Sequence, residues 1–243
     1  MSGQLRAELL KQRSTQTTLS LFLAMFGLVA LAVAMHVLAL SKADLSTHAH
    51  QLEVFQVGTR AGMLFAGLVG ALAITAEIRY GTIRPTFLVT PRRGPVLAAK
   101  LAISALAGIL FGLLAEGLMA AAASIGFAAR GIPNQLSGGD YLQLLAGGAA
   151  AAALWAALGV GIGALVRNQV GVLVGLCTWM FLVESLSSSF VPGTARFLPG
   201  GLGLALAGND TKHAAAVAVL LLVLYAAAAS AAGWVATLRR DVA

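Results

Sequence analysis

Long, almost uncharged apolar stretches dominate the chain and limit its fold more than any other feature. A membrane-spanning helix needs about 20 predominantly apolar residues. About six stretches reach that length, at residues 19–40, 57–76, 101–129, 141–166, 170–190 and 214–238. They are rich in Leu, Ala and Val and lack the alternation of a barrel strand, which favours helices. We therefore predict an all-α, polytopic membrane protein, with residues 1–243 forming a single transmembrane domain.

Composition supports this class. Hydrophobic residues make up 59% of the chain and charged residues only 10%, whereas soluble domains carry about 25% charged residues. A soluble protein of this size lacks the polar groups to cover so much apolar surface. The net charge of +7 does not indicate a nucleic-acid partner, because the cations punctuate the apolar stretches and form no basic face. We expect them to face water or membrane lipids.

Smaller sequence features bear on packing and on metal binding. Glycines spaced four residues apart, at 108/112, 159/163 and 171/175, predict close contacts between helices in lipid. The single cysteine, Cys177, excludes an internal disulfide and a thiolate metal cluster. The His48-x-His50 pair near Asp44 and Glu53 lies in a predicted polar loop and lacks a four-ligand spacing, so we predict no metal site.

The distribution of lysine and arginine predicts the orientation. An even number of spans places both termini on one side, and the positive-inside rule assigns the more basic side to the cytoplasm. With a cytoplasmic N-terminus, eleven of the 16 cations lie inside: Arg6, Lys11, Arg13, Arg79, Arg84, Arg92, Arg93, Lys100, Arg167, Arg239 and Arg240. The high Ala and Gly content is typical of a bacterium with a GC-rich genome. We therefore expect a bacterial plasma (inner) membrane protein with both termini in the cytoplasm.

Residues 4–13 precede the first span and combine apolar and basic side chains. Leu5 and Leu9 lie one helical turn apart, beside Arg6, Lys11 and Arg13. This pattern predicts a short amphipathic helix on the cytoplasmic membrane surface, with its cations near anionic head groups. A disordered basic tail is the alternative. The first span itself is too long for a typical signal peptide, and no clean A-x-A cleavage site follows it.

The segment between the second and third spans, residues 77–100, is the most distinctive part of the sequence. Thr82 can cap a first helical turn, and Pro85 is then tolerated at the third helical position, where its amide would lack a partner in any case. Phe87 and Leu88 supply an apolar side, and Thr90-Pro91 ends the helix. An exposed helix of this kind is suited to a groove on another protein. On physical grounds alone, an ordinary basic loop is an equal alternative.

The pattern Glu-x-x-x-Gly-Thr-Ile-Arg in this segment, followed by Pro-Arg-Arg and a lysine at the next span, resembles permease subunits of type-2 ABC transporters. In that family the segment is the coupling helix, which docks into the nucleotide-binding subunit. The resemblance places Glu77 at the cytoplasmic end of the second span. Pro85 departs from the commonest form of the motif. The resemblance implies ATPase-subunit contacts at Gly81, Thr82, Ile83, Arg84, Thr86, Phe87 and Leu88.

The same resemblance implies an energy source outside this chain. No G-x-x-x-x-G-K-[ST] motif occurs, so the chain is not itself an ATP-hydrolysing enzyme of the P-loop kind, and we expect no catalytic residue or cofactor in it. ATP and Mg are expected in a separate ABC ATPase subunit, present in two copies, beside a second copy of this permease or a homologous one. The expected function is export of a lipophilic or amphipathic substrate such as a drug, an antibiotic peptide or a lipid. A non-transporting membrane scaffold and a secondary transporter remain alternatives.

Four polar residues fall within the spans, in the half predicted to face outward: His36, Arg60, Glu116 and Glu184. Such residues are costly in a membrane and are functional candidates by default. Arg60 can pair with Glu116 or Glu184 as an interhelical lock, or these residues can line the export path or an outer gate. His36 lies near the end of its span, which favours an interfacial position. Residues 187–211 are too apolar for a free loop, so a re-entrant or interfacial element and a plain connector are both open.

Overall fold

The structure is a computed structural model that describes residues 2–89, 93–191, 193–208 and 215–239. The side chains of Arg84 and Phe87 lie outside this description. Within these ranges the chain forms eleven α-helices and no strand. The helices are α1 (Ser2–Ser14), α2 (Gln16–Ala39), α3 (Lys42–Leu45), α4 (His48–Arg79), α5 (Ile83–Val89), α6 (Arg93–Ala129), α7 (Gly138–Val166), α8 (Gln169–Thr178), α9 (Glu184–Phe190), α10 (Pro199–Leu206) and α11 (Ala215–Arg239).

Among the described residues, six helical stretches are long and apolar enough to cross a membrane. They are α2, α4, α6, α7, the combined α8–α9 stretch and α11. A π-helical turn, Trp179–Val183, joins α8 to α9 without a break in the helix. The prediction of an all-helical fold with the features of a multi-pass membrane protein is therefore confirmed.

Helix α4 begins earlier than its apolar stretch predicts. Thr47 caps it by accepting a hydrogen bond from the His50 amide at 3.4 Å, so the helix starts at His48. The prediction of a polar loop around His48 and His50 was wrong, because hydropathy marks the apolar part of a helix and does not detect a polar first turn. Helix α6 likewise begins at Arg93, ahead of the apolar stretch at 101–129.

Helix α4 lies at the centre of the bundle. It packs against α6 and α7, which also pack against each other. In its apolar window 83% of the residues are buried, compared with 17% in α2, in α8–α9 and in α11. The core between the three central helices contains Phe55, Met63, Phe111 and Trp155. The peripheral helices α2, α8–α9 and α11 thus leave broad apolar faces exposed, as expected for contact with lipid or with another membrane chain.

Glycines allow the central helices to approach closely. Gly112 of α6 lies against the backbone of Gly148 in α7, and Gly159 of α7 lies against the carbonyl group of Gly67 in α4. The predicted close contacts are therefore confirmed for the 108/112 and 159/163 pairs. They are wrong for the third pair, since a Cβ at Gly175 would meet nothing within 4 Å. Glycine spacing alone does not show which helix face is packed.

The replacement Gly159→Ala should separate α4 from α7 and lower stability. Its new methyl group would overlap the carbonyl of Gly67, and overpacking of this kind costs about 1–3 kcal/mol. Gly175→Ala is the matched control, because it adds the same methyl group in open space and improves helix propensity by up to about 1 kcal/mol. Thermal unfolding of both variants in detergent measures the difference. Equal unfolding temperatures would contradict the α4–α7 contact.

Candidate functional site

Helix α5 connects the end of α4 to the start of α6. We call the end of the bundle at which α4 ends and α6 begins the α5 end. Gly81 turns the chain out of α4 with φ = +70°, a value that favours glycine. Ile83 then packs into the bundle with Ile74 and Leu97, and only 5% of it is exposed. Leu88, in contrast, is 81% exposed. The bundle therefore holds one side of α5 and leaves an apolar side chain outside.

The positions at which the resemblance implies contact with an ATPase subunit differ in their exposure. Gly81, Thr82 and Leu88 are exposed, and Thr86 is half-buried. Ile83 is buried within this chain, so it holds α5 in place and is not an accessible contact. The side chains of Arg84 and Phe87 lie outside the described residues. Pro85 is the third residue of α5, as the sequence predicted.

Four charged residues form a cluster at the α5 end, which we call the charge cluster: Glu8, Lys11, Glu77 and Lys100. Lys100 Nζ donates to Glu8 Oε2 at 2.8 Å, to Glu77 Oε1 at 2.7 Å and to the Ala73 carbonyl at 2.9 Å. Lys11 Nζ donates to Glu8 Oε1 and to Glu77 Oε1, both at 2.8 Å. The cluster therefore joins α1 to α4 and α6, the two helices that flank α5.

The charge cluster is largely removed from solvent. The exposed fractions are 2% for Lys100, 6% for Glu8 and 9% for Glu77. The pKa of Lys11 is raised: burial alone would lower it, but hydrogen bonds and charge attraction from Glu77 and Glu8 outweigh burial. Lys11 therefore stays cationic at neutral pH. Because buried charges are tolerated only when paired, the docking of α1 depends on all of these partners together.

The sequence argument placed Glu77 and Lys100 at the ends of their spans but did not single out Glu8. The available signal was the i, i+3 pairing of Glu8 with Lys11, which are joined at 2.8 Å. The predicted helix at residues 4–13 is present as α1. Leu9 and Leu10 are 53% and 64% exposed on it. The position of α1 on a membrane surface stays a prediction.

A cavity of about 540 Å³ lies between α2, α4, the α8–α9 stretch and α10. Most of its lining is apolar, and its charged residues are Arg60, Glu184 and Arg196. Glu184 Oε1 accepts hydrogen bonds from Trp179 Nε1 at 2.9 Å and from the Gly200 amide at 2.8 Å. The π-helical turn and the start of α10 thus hold the carboxylate at the cavity wall. Arg60 lies about 18 Å along α4 from its first residue. Arg60 and Arg196 are both exposed, so the cavity is open at the side of the bundle.

Helix α10 folds back into the bundle. All of its residues except Gly201 are buried, and it packs against α4, α7 and α11. Trp155 Nε1, from the middle of α7, donates to the Pro199 carbonyl at 3.2 Å. For residues 187–211 the sequence left open a re-entrant or interfacial element and a plain connector. The plain connector is wrong for residues 199–206, which form this packed helix. Residues 192 and 209–214 lie outside the described residues.

The predicted ion pair of Arg60 with Glu116 or Glu184 is not formed among the described residues, and the candidate residues lie in different places. Glu116 is 1% exposed and accepts a hydrogen bond from Thr59 Oγ1, and no hydrogen-bond partner of its Oε2 is present in the described part of the chain. Arg60 faces the cavity near Glu184, and no ion pair joins it to either carboxylate among the described residues. His36 Nδ1 lies 2.8 Å from the Ala32 carbonyl, near the end of α2.

No known protein-family model matches the chain, and a search of curated proteins finds no significant match. Within the described ranges, no group of three or more His, Cys, Asp or Glu residues is arranged to hold a metal ion. The structure contains three features relevant to function: the partly exposed α5, the charge cluster beside it, and the cavity between α2, α4, α8–α9 and α10. A function must account for an exposed apolar side chain at one end of the bundle and for a largely apolar cavity that carries three charged residues.

Proposed function

We propose that this chain is the membrane-spanning permease subunit of an ATP-driven exporter of the type-2 ABC kind. The observation that carries the proposal is α5. A short helix is held at the bundle end by Ile83, while Leu88 is 81% exposed, within the segment that resembles a coupling helix. An apolar side chain that is exposed on a short helix between two membrane spans is suited to a groove on another protein. The partner is a separate ABC ATPase in two copies, and a second permease copy or homologue completes the complex.

The packing around α5 provides a route from that partner to the membrane helices. Helix α5 follows directly on α4, the most buried helix, and leads into α6. The charge cluster fixes α1 to both helices next to the same end. Closure of the ATPase dimer on ATP would move α5, α1 and the ends of α4 and α6 together. ATP would thereby shift the bundle between inward- and outward-open populations, since it binds preferentially to one of them.

Orientation and substrate follow from the same proposal. The basic α5 end faces the cytoplasm of a bacterial inner membrane, with both termini on that side. The apolar cavity and the exposed faces of the peripheral helices suit a lipophilic or amphipathic substrate that moves outward. We propose no nucleic-acid partner, because the basic residues are distributed between the apolar stretches and form no continuous basic face.

A secondary transporter is the second candidate, and two observations favour it. Helix α10 is a short helix with all residues but Gly201 buried, and the buried Glu116 has an oxygen without a described partner. Broken helices and buried carboxylates are common in ion-coupled transporters. We rank this candidate lower because it gives no role to the exposed α5.

Purification of the tagged full chain from its native membrane tests the proposal. A P-loop ATPase should co-purify with the wild type, and Leu88→Asp should release most of it, because a charge replaces the exposed apolar contact. Phe87→Asp and Arg84→Glu, in the same segment, should act in the same direction. Leu142→Asp is the matched control, since Leu142 is 70% exposed in the first turns of α7, far from the α5 end. If no ATPase accompanies the wild-type chain, the exporter proposal fails and the secondary-transporter candidate or a scaffold replaces it.

A further inference from the structure

We propose that the cavity between α2, α4, α8–α9 and α10 binds an amphipathic anion, a molecule with a hydrocarbon tail and an acidic head group. The inference rests on the proposed function in treating this molecule as the substrate class, but binding itself does not require an ATPase. The inference specifies the binding site and the charge of the ligand. The amino-acid composition of the chain determines neither.

The size and walls of the cavity fit a hydrocarbon tail. Its volume of about 540 Å³ falls within the range of about 300–1,000 Å³ that is usual for small-molecule sites. Leu28 and Ala32 of α2, Leu64 of α4 and Leu204 of α10 supply much of the apolar wall. An apolar surface of this kind binds a chain of methylene groups by removing it from water.

The charges of the lining select an anion. Arg60 and Arg196 both line the cavity, whereas Glu184 is its only carboxylate among the described residues. That carboxylate already accepts hydrogen bonds from Trp179 and Gly200. Neither arginine forms an ion pair within the described part of the chain. Both arginines are exposed residues of a largely apolar cavity, and Arg196 lies over the Phe197 ring at 4.8 Å. Their guanidinium groups can bind an anionic head group through paired N–H groups.

Access to the cavity is available from the side of the bundle. Leu28 and Phe181 belong to the lining, yet 37% and 57% of these residues are exposed. The opening therefore lies between α2 and the π-helical turn, two of the peripheral elements with exposed apolar faces. A ligand with a long tail can leave that tail between these helices while its head group reaches the arginines.

Glu184 lines the same cavity as Arg60 and Arg196, so its negative charge opposes the binding of an anion there. A neutral glutamine at this position keeps an oxygen that can accept from Trp179 and Gly200. Glu184→Gln should therefore retain the local structure and bind an anion several-fold more tightly. A gain of affinity cannot result from misfolding. This variant therefore distinguishes the proposal from a loss of binding that is caused only by a misfolded protein.

The test measures binding to the purified full chain in a neutral maltoside detergent by native mass spectrometry. The probes are dodecyl phosphate, dodecyltrimethylammonium and inorganic phosphate. We expect dodecyl phosphate to bind in preference to both others, because only it offers a tail and an anionic head together. Equal binding of the cationic and anionic amphiphiles would overturn the charge argument. Binding of inorganic phosphate as tight as that of dodecyl phosphate would overturn the role of the tail.

Matched variants locate the site. Arg60→Gln and Arg196→Gln should each weaken dodecyl phosphate binding about tenfold, the effect of losing a charged hydrogen bond. Lys42→Gln is the control, since Lys42 is an exposed cation of α3 outside the cavity. Unchanged binding in both arginine variants, or weaker binding in Glu184→Gln, would overturn the proposal. Because this assay contains no ATPase, its failure leaves the co-purification result standing, and failure of co-purification leaves the binding result standing.

Discussion

Replacing Lys100 with methionine is expected to lower the free energy of unfolding by about 3–5 kcal/mol, the usual cost of removing one partner of a buried ion pair. Lys100 is 2% exposed and donates to Glu8, Glu77 and the Ala73 carbonyl. Methionine has a similar length and fills the space, but it leaves two buried carboxylates beside each other. Lys11, whose side chain is 43% exposed, cannot replace that charge inside the bundle.

Thermal unfolding in detergent measures the loss, and hydrogen exchange of the α1 amides shows where it occurs. We expect α1 to exchange faster in Lys100→Met, because the cluster is its main polar contact with α4 and α6. Adding Glu77→Gln should recover part of the stability by removing one of the two carboxylates that then share the single cation Lys11. Lys42→Met serves as the exposed control and should change little. Unaltered unfolding and α1 exchange in Lys100→Met would show that the charge cluster does not hold α1.

Replacing Trp155 with alanine is expected to cost about 3–5 kcal/mol, as for other large buried aromatic residues. Trp155 has no exposed surface and packs against Gly67 of α4, and its indole N–H donates to the Pro199 carbonyl. The side chain therefore supports both the α4–α7 contact and the start of α10. Since α10 also forms one wall of the cavity, its displacement should weaken ligand binding there as well.

Two further variants separate the contributions of Trp155. Trp155→Phe keeps most of the apolar volume and loses the indole N–H, so it should cost about 1 kcal/mol through the bond to Pro199. Trp234→Ala is the control for losing an indole at a peripheral position, where the residue is 37% exposed. Unfolding temperatures and limited proteolysis near α10 report both effects. A Trp155→Ala variant as stable as Trp234→Ala would contradict the buried position of α10.

The coarse fold was predictable because it depends on local properties of the chain. The length and apolar content of each stretch indicate a helix that can cross a membrane, whatever its neighbours are. For residues 77–100 the local pattern left a short helix and a basic loop as equal alternatives, and the family resemblance favoured the helix. Helix α5 begins at Ile83 with Pro85 as its third residue. The helical part of the N-terminus was predicted from the local pattern of side chains one turn apart.

The candidate sites were less predictable because they join residues that are distant in sequence. Glu8 and Lys100 are separated by 92 positions, and Thr59 and Glu116 by 57. Sequence reasoning offered Arg60 a choice of two carboxylates, and only the tertiary structure places Arg60 and Glu184 in the lining of one cavity. Similarly, nothing local distinguishes the packed Gly159 from the open Gly175.

The sequence by itself determined that this chain is helical, suited to a membrane and most basic at the end that carries α5, since hydropathy and charge act residue by residue. Only the tertiary structure decided that Ile83 lies inside and Leu88 outside, that α10 folds back, and that two arginines share a cavity with Glu184. These outcomes depend on which helix faces meet. Close packing between distant segments determines which faces meet. A single Cβ atom in place of a glycine is enough to prevent two helices from approaching closely.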